Sequence, residues 1–269
     1  YAAFYSMKYE VTQEQWVAFF NTLTQNQKEN LDVTGNSGKN TDGEAARNAV
    51  SWLDGGSATT SLPNVPLNFV SSDFTMAYLD WAALRPLTEL EYEKSCRGPL
   101  NPVAEELAWG TANLHSTAYT YTNEGTPDEG ISNPGVGTGN AIVQITNGSP
   151  SGPKRVGIFA ASAENNNREE TGGSYYGIME LTGNVYERVV TVGNPEGRAF
   201  NGEHGDGLIN SAGRATVTSW PTEGLGLGYR GGSYANNFPF LAVSDRSDAA
   251  NQIQSGNSRL GFRGGRSAQ

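Results

Sequence analysis

The sequence predicts an α+β fold with long loop insertions, on three observations. Helix starts with matched capping residues fall early in the chain, at Thr12 and Thr88. From about residue 156 the pattern changes to short strand-like runs broken by Gly and Asn turns. Polar excursions over residues 21–64 and 110–155 interrupt both regimes. Helices first and strands later argue against a parallel α/β sheet, which would alternate the two throughout.

Residues 4–11 alternate well enough for an opening strand. Thr12 and Gln15 then form a capping box, and Trp16, Phe19 and Phe20 recur at the spacing of one helix face. Residues 21–64 read as surface loops, rich in Asn, Gly, Asp and Ser. A second helix is predicted over 72–83, with Phe74, Ala77, Tyr78 and Trp81 on one stripe and Ser72 or Asp73 at its cap. Arg85-Pro86-Leu87 breaks it, and the box at Thr88 and Glu91 opens a third helix to about residue 96. The 110–155 stretch is too long for an ordinary connection, which marks it as functional or insertional.

Composition narrows the function. A chain of 269 residues buries a sizeable core, and no apolar run approaches the ~18 residues of a membrane-spanning helix. The net charge is −10, with the few Lys and Arg scattered, which argues against a nucleic-acid partner. Cys96 is the only cysteine, so no intrachain disulfide and no Cys-based zinc site can form. Its helical spacing from Tyr92 predicts a buried, inert thiol. The chain starts without Met, so a trimmed N-terminus is expected, and a signal or lipid anchor would have been lost with it.

The C-terminal part carries the most information. Tyr229-Arg-Gly-Gly-Ser-Tyr234, Ser244-Asp-Arg246 and Gly261-Phe-Arg-Gly-Gly-Arg266 are glycine-punctuated blocks that repeat Arg beside an aromatic. Between them lies a miscellany of Asn, Phe, Ala, Ser, Asp and Gln, the pattern of a frame around a recognition surface. These words, with Met7-Lys-Tyr-Glu-Val-Thr12, Asn68-Phe-Val-Ser71, Arg85-Pro-Leu-Thr-Glu-Leu-Glu-Tyr-Glu93, Trp109-Gly110 and Tyr176-Gly-Ile-Met-Glu-Leu-Thr-Gly-Asn-Val-Tyr-Glu187, occur in the order of the formylglycine-generating-enzyme (sulfatase-modifying factor) family. The resemblance runs across nearly the whole chain. It implies a single C-type-lectin-like domain over residues 1–269.

That family's enzymes oxidise a cysteine of a sulfatase peptide with copper held by two thiolates. The resemblance places those thiolates at Asn236 and Leu241, and puts Ala242 where the family has an Arg. Soft thiolates select Cu(I), so no copper is expected here. The departures concentrate in 234–260. In this they resemble the variable proteins of diversity-generating retroelements, which share the fold and change a C-terminal segment at adenine-rich codons. Residues 234–251 contain no Lys, Glu, Met or Trp, the types that an Asn codon mutated at its adenines cannot reach; Gln252 and Gln254 lie outside that set. A fixed binding member of the fold accounts for the same residues, and an enzyme with altered catalytic residues is the rival class.

On the recognition reading, the surface comprises Tyr234, Asn236, Asn237, Phe238, Phe240, Ser247, Asp248, Asn251, Gln252, Gln254, Asn257 and Ser258, within a variable segment at 230–266. Aromatics supply contact area and Asn, Ser and Asp supply adaptable hydrogen bonds, as in antibody paratopes. The expected partner is a protein or other macromolecular ligand, and the resemblance implies a cell surface or phage particle. It also assigns a structural calcium site to Glu180, Gly183, Val185 and Glu187, an all-oxygen set that suits a hard cation.

Other features read as scaffold. Gly226-Leu-Gly-Tyr-Arg-Gly231 matches a dinucleotide-loop string but no helix pattern follows it. His115 and His204 read as exposed loop residues, although His204 with Asp206 or a serine is the alternative of a hydrolase site. Arg230, Arg246, Arg263 and Arg266 are expected as structural forks, with Asp245 a candidate partner. Trp220 is a candidate for the border of the binding face.

Overall fold

The computed structural model describes residues 3–53, 55–221 and 224–268. It has the mixed helix-and-strand architecture expected. Two helices build the main core. Helix α1 (Gln13–Asn21) starts at Thr12, whose hydroxyl accepts from Gln15 N while Gln15 Oε1 accepts from Thr12 N. Helix α3 (Ser72–Trp81) is capped by Ser71, one residue earlier than expected, because the Ser71 hydroxyl is the one that reaches Phe74 N. Between them the Trp16 ring lies 5.1 Å from Phe19 and 5.7 Å from Phe74, all three buried. Tyr78 continues the stack to Phe262 at 5.4 Å, so the end of the tail is keyed into the helical core. Each such pair contributes about 0.5–1.5 kcal/mol beyond its buried area.

The 21–64 segment is not the loose surface loop predicted. It contains helix α2 (Gln25–Asn30), opened by a box at Thr24 and Gln27, and its later part is pinned from inside. Gln13, fully buried in α1, donates to Arg47 O at 2.7 Å and accepts from Ala49 N at 3.0 Å. Arg47 in turn forms a buried fork with Glu129 of the second excursion, Nη1 to Oε1 at 2.9 Å. There strands β3 (Tyr121–Thr122) and β4 (Gly130–Ile131) pair as a short ribbon. The two insertions therefore brace each other.

Helix α4 (Glu89–Arg97) follows β2 (Arg85–Pro86), with the Thr88 and Glu91 box in place. Its Cys96 is fully buried, and burial pushes the thiol up to about 12, which keeps it protonated. Two further short helices, α5 (Ile158–Ser162) and α6 (Pro195–Ala199), fall where only strands and turns were expected.

Strand topology positions the tail. One sheet runs β1 (Phe4–Ser6), β8 (Gly264–Ser267), β2, so the chain's first and last strands lie side by side. The other centres on β5 (Tyr186–Val190). Strand β6 (Leu227–Arg230) pairs antiparallel on one edge of it, and β7 (Leu260–Gly261) pairs parallel on the other. The excursion 231–259 leaves from β6 and returns to β7, so both its ends are fixed to the same strand.

Candidate recognition surface and its supports

Two buried arginines, Arg230 and Arg263, hold the excursion at its roots, and the half-exposed Arg246 adds a third tie. Arg230 donates to Glu89 Oε2 at 3.1 Å, Glu93 Oε1 at 2.8 Å and Val243 O at 2.5 Å. Arg263 donates to Glu187 Oε1 at 2.6 Å and to the carbonyls of Lys8 and Met179. Arg246 reaches Glu89 Oε1 at 2.9 Å. These are the forks the sequence predicted, with two corrections. Asp245 accepts from the Ser247 hydroxyl rather than from an arginine, and Arg266 is exposed on β8, the central strand of its sheet.

Between the roots, the scaffold grips the backbone of the tail. Ser72 N donates to Gln254 O at 3.0 Å, Phe69 N to Asn257 O at 2.9 Å, and Asn68 Nδ2 to Ser258 O at 2.9 Å. The Tyr229 hydroxyl donates to Ile253 O at 2.6 Å, and Tyr229 N to Asp248 O at 2.9 Å. Close backbone approach needs glycine at two places. A Cβ on Gly256 would lie 2.0 Å from Phe69 O, and one on Gly228 would lie 1.9 Å from Ala249 O. The side chains of Gln252, Ile253, Gln254 and Ser255 point outward and are exposed.

A cavity of about 330 Å³ opens beside this loop, lined by Tyr186, Tyr229, Asn236, Phe240, Asp248, Asn251, Ile253, Asn257, Arg259 and Leu260. Tyr186 and Tyr229 come from the neighbouring strands β5 and β6, with ring centroids 6.0 Å apart. The Tyr186 hydroxyl lies 3.3 Å from Asp248 Oδ2, and Asn251 Nδ2 donates to Asp248 Oδ1 at 2.9 Å. Burial, reinforced by the Asp248 carboxylate, raises the Tyr186 phenol well above its usual range, so it stays a donor.

Five of the twelve predicted residues thus converge on the cavity: Asn236, Phe240, Asp248, Asn251 and Asn257. Asn237 and Phe238 are exposed on the adjacent turn, where Asn237 Nδ2 donates to Gln144 Oε1 at 3.0 Å. Gln254 instead borders a separate polar cavity near Ser71 and Arg214. Ser247 is exposed and Ser258 half-buried. Two residues expected on the face are largely buried. Tyr234 is buried among Tyr119, Ile142 and Phe159, drawn inward as Tyr234 N donates to Asn184 O. Asn236 is 7% exposed, and its Oδ1 accepts from Ser233 Oγ, leaving it as floor rather than rim. The tyrosine walls, Ile253, Arg259 and Leu260 went unpredicted. Tyr186 and Tyr229 stand in scaffold words of the sequence, outside the 231–259 excursion.

The two positions assigned to the family's thiolates hold no soft donor. Leu241 is fully buried against Leu107, Trp109, Ala141 and Val143, and the Asn236 amide is engaged as described. This donor set does not fit Cu(I).

Among the residues assigned to calcium, Glu180 and Glu187 are buried carboxylates, although no group of three His, Cys, Asp or Glu side chains among the described residues is placed to hold a metal ion. Glu10, Glu180 and Glu187 are all buried, with Arg263 as the cation among them, so full ionisation leaves an excess of negative charge. Glu180 Oε1 accepts from Gly157 N at 2.9 Å and Glu187 Oε1 takes Arg263, while the second oxygen of each has no partner. Burial raises Glu180 to about 7 and moves Glu10 and Glu187 the same way. Orphaned buried carboxylate oxygens call for a proton or a cation.

The histidines are more engaged than predicted. His204 Nε2 accepts from Ser267 N at 2.9 Å, which ties its loop to β8, and His115 stacks on Tyr119 at 4.9 Å. With its Nε2 committed to a backbone amide, His204 holds the C-terminal end of β8. Trp220 is buried and donates to Glu203 O, away from the cavity. The Gly226–Gly231 string itself contains strand β6, and turns follow it in place of a helix.

The framed excursion thus sits on a mixed fold, with the sequence words of the resemblance at its corners. The sulfatase-modifying factor enzyme 1-like domain matches residues 1–268, and the chain belongs to that family. No curated protein matches it in sequence. Among solved structures, Treponema denticola variable protein 1 is similar at 17% identity, with a TM-score of 0.46, covering 98% of this chain and 84% of that one.

Proposed function

We propose that this chain is a non-catalytic recognition protein, displayed on a cell surface or phage particle, whose 231–259 excursion binds a protein or other macromolecular ligand on a cell surface. The observation that carries this reading is the division of labour in the loop. Phe69, Ser72, Asn68 and Tyr229 bind its backbone, whereas the side chains of Gln252, Ile253, Gln254 and Ser255 make the outer face. A backbone held through carbonyls keeps its course when side chains change. That is what diversification by a retroelement requires, and we include it in the proposal.

Glu180 and Glu187, with the carbonyls of Gly183 and Val185, would hold calcium as a brace under the tail. The ion would supply charge neutralisation to the buried carboxylates. Glu187 would link that brace to Arg263 and so to the tail's return strand.

Sequencing the gene across sibling isolates tests diversification. Differences are expected at exposed positions between 237 and 258, tracking adenines of a template copy; a tail as constant as the core would contradict it. The rival reading follows from family membership and is thiol oxidation. Copper-dependent oxygen uptake with thiol peptides is expected to be absent, and turnover would overturn the non-catalytic reading.

A further inference from the structure

We infer that the cavity between Tyr186, Tyr229 and Phe240 takes a basic side chain, Lys or Arg, from a protein ligand. This rests on the recognition reading and names the chemistry of its site. Asp248 is central. Its two carboxylate oxygens accept from neutral groups, the Tyr186 hydroxyl and Asn251 Nδ2. Among the described residues no Lys, Arg or His forms a salt bridge with it. The carboxylate is therefore positioned by neutral donors and, among the described residues, makes no ion pair, although Arg259 also lines the cavity.

The walls complete the fit. Tyr186 and Tyr229 are buried, their rings inclined at 59°, and Phe240 stands 36% exposed at the mouth. Aromatic faces attract ammonium and guanidinium groups and also cover an aliphatic stem. Arg188 already uses this attraction from within, 5.0 Å from the Tyr229 ring centroid, with Nη1 on Ile253 O. A cavity of about 330 Å³ holds one long side chain and no more than a small part of a ligand.

Other occupants fit less well. An apolar group would desolvate Asp248 without pairing it. A carboxylate would meet Asp248 at close range, although Arg259, the one cation among the described residues lining the cavity, lies exposed at the rim. The chain's net charge of −10 favours encounter with a basic partner.

The test uses the isotope-labelled whole chain, titrated with the N-acetyl N-methylamides of arginine, lysine, norleucine and glutamate. The basic probes are expected to shift the Asn251 side-chain amide signals, with norleucine and glutamate bound more weakly by about tenfold. Asp248→Asn is expected to remove that preference while the protein melts as a folded chain. Phe240→Ala, at an exposed position, provides a second variant and is expected to weaken both basic probes. Equal response to norleucine, preference for glutamate, or a preference that survives Asp248→Asn would each overturn the inference. The two readings fail separately. A tail that varies among isolates but shows no response to basic probes overturns only this inference; an invariant tail that binds them overturns only diversification.

Discussion

Arg230 and Glu89 form a salt bridge, Nη1 to Oε2 at 3.1 Å, with both side chains fully shielded from solvent. The same carboxylate accepts on Oε1 from Arg246, the Thr191 hydroxyl and Val192 N. Glu89 thus connects helix α4, the strand that ends at Val190 and two points of the tail. Glu93 takes the other Arg230 nitrogen, so the guanidinium is held between two acids on successive helical turns.

Removing one member of such a buried set leaves the others uncompensated. Arg230→Met should destabilise the fold by ~3–5 kcal/mol, and Glu89→Gln should cost a comparable amount. Urea denaturation measures both. Arg246→Ala, at a half-exposed side chain, should cost under about 1 kcal/mol.

The tail should separate backbone support from side-chain identity. Gln252→Ser, Ile253→Ser and Ser255→Asp should each change stability by less than about 0.5 kcal/mol. Asn68→Ala, which removes the donor to both Ala46 O and Ser258 O, should cost ~1–3 kcal/mol. Gly256→Ala should cost ~1–3 kcal/mol by forcing the loop off Phe69. Equal sensitivity at the two kinds of position would contradict the division.

Calcium should raise the melting temperature of chelator-treated protein. At a hundredfold excess over the dissociation constant, a single site contributes about 2.7 kcal/mol. Glu180→Gln should abolish the shift, because it removes a charged ligand without changing the side chain's shape. A wild-type chain insensitive to millimolar calcium would leave protons as the neutralising species.

Lys154 offers a pH test. It is buried, with its Nζ 4.3 Å from the Tyr121 ring centroid, and desolvation lowers its ammonium to about 7. Between that value and the unfolded one the unfolded chain binds more protons, so the stabilising contribution is complete at high pH and is lost as pH falls toward 7. The stability of wild type relative to Lys154→Met should therefore increase from about pH 7 to about pH 10. A flat difference would contradict this burial effect.

The sequence disclosed what contiguous residues decide. Thr12 with Gln15 and Thr88 with Glu91 announced α1 and α4, since a capping box is local chemistry. The Thr24 and Gln27 box was equally visible, yet α2 buries none of its residues and shows no apolar stripe. The cavity walls were hidden for a different reason. Tyr186 and Tyr229 meet through the register of β5 on β6, in which Arg188 sits opposite Tyr229. Their neighbour Asp248 arrives from the far side of the tail. Tyr234 read as a surface aromatic until the turn at Gly231 and Gly232, both at positive φ, carried it inward.

The central claim is that side chains on this excursion carry recognition while the scaffold carries the fold. The most direct measurement displays the chain on cells or phage with Asn237, Phe238, Phe240, Asn251, Gln252 and Gln254 randomised together. A majority of clones should remain folded, and selection on unrelated protein targets should yield binders that differ at these six positions. Widespread unfolding of the library, or binders whose affinity is indifferent to these residues, would contradict the account.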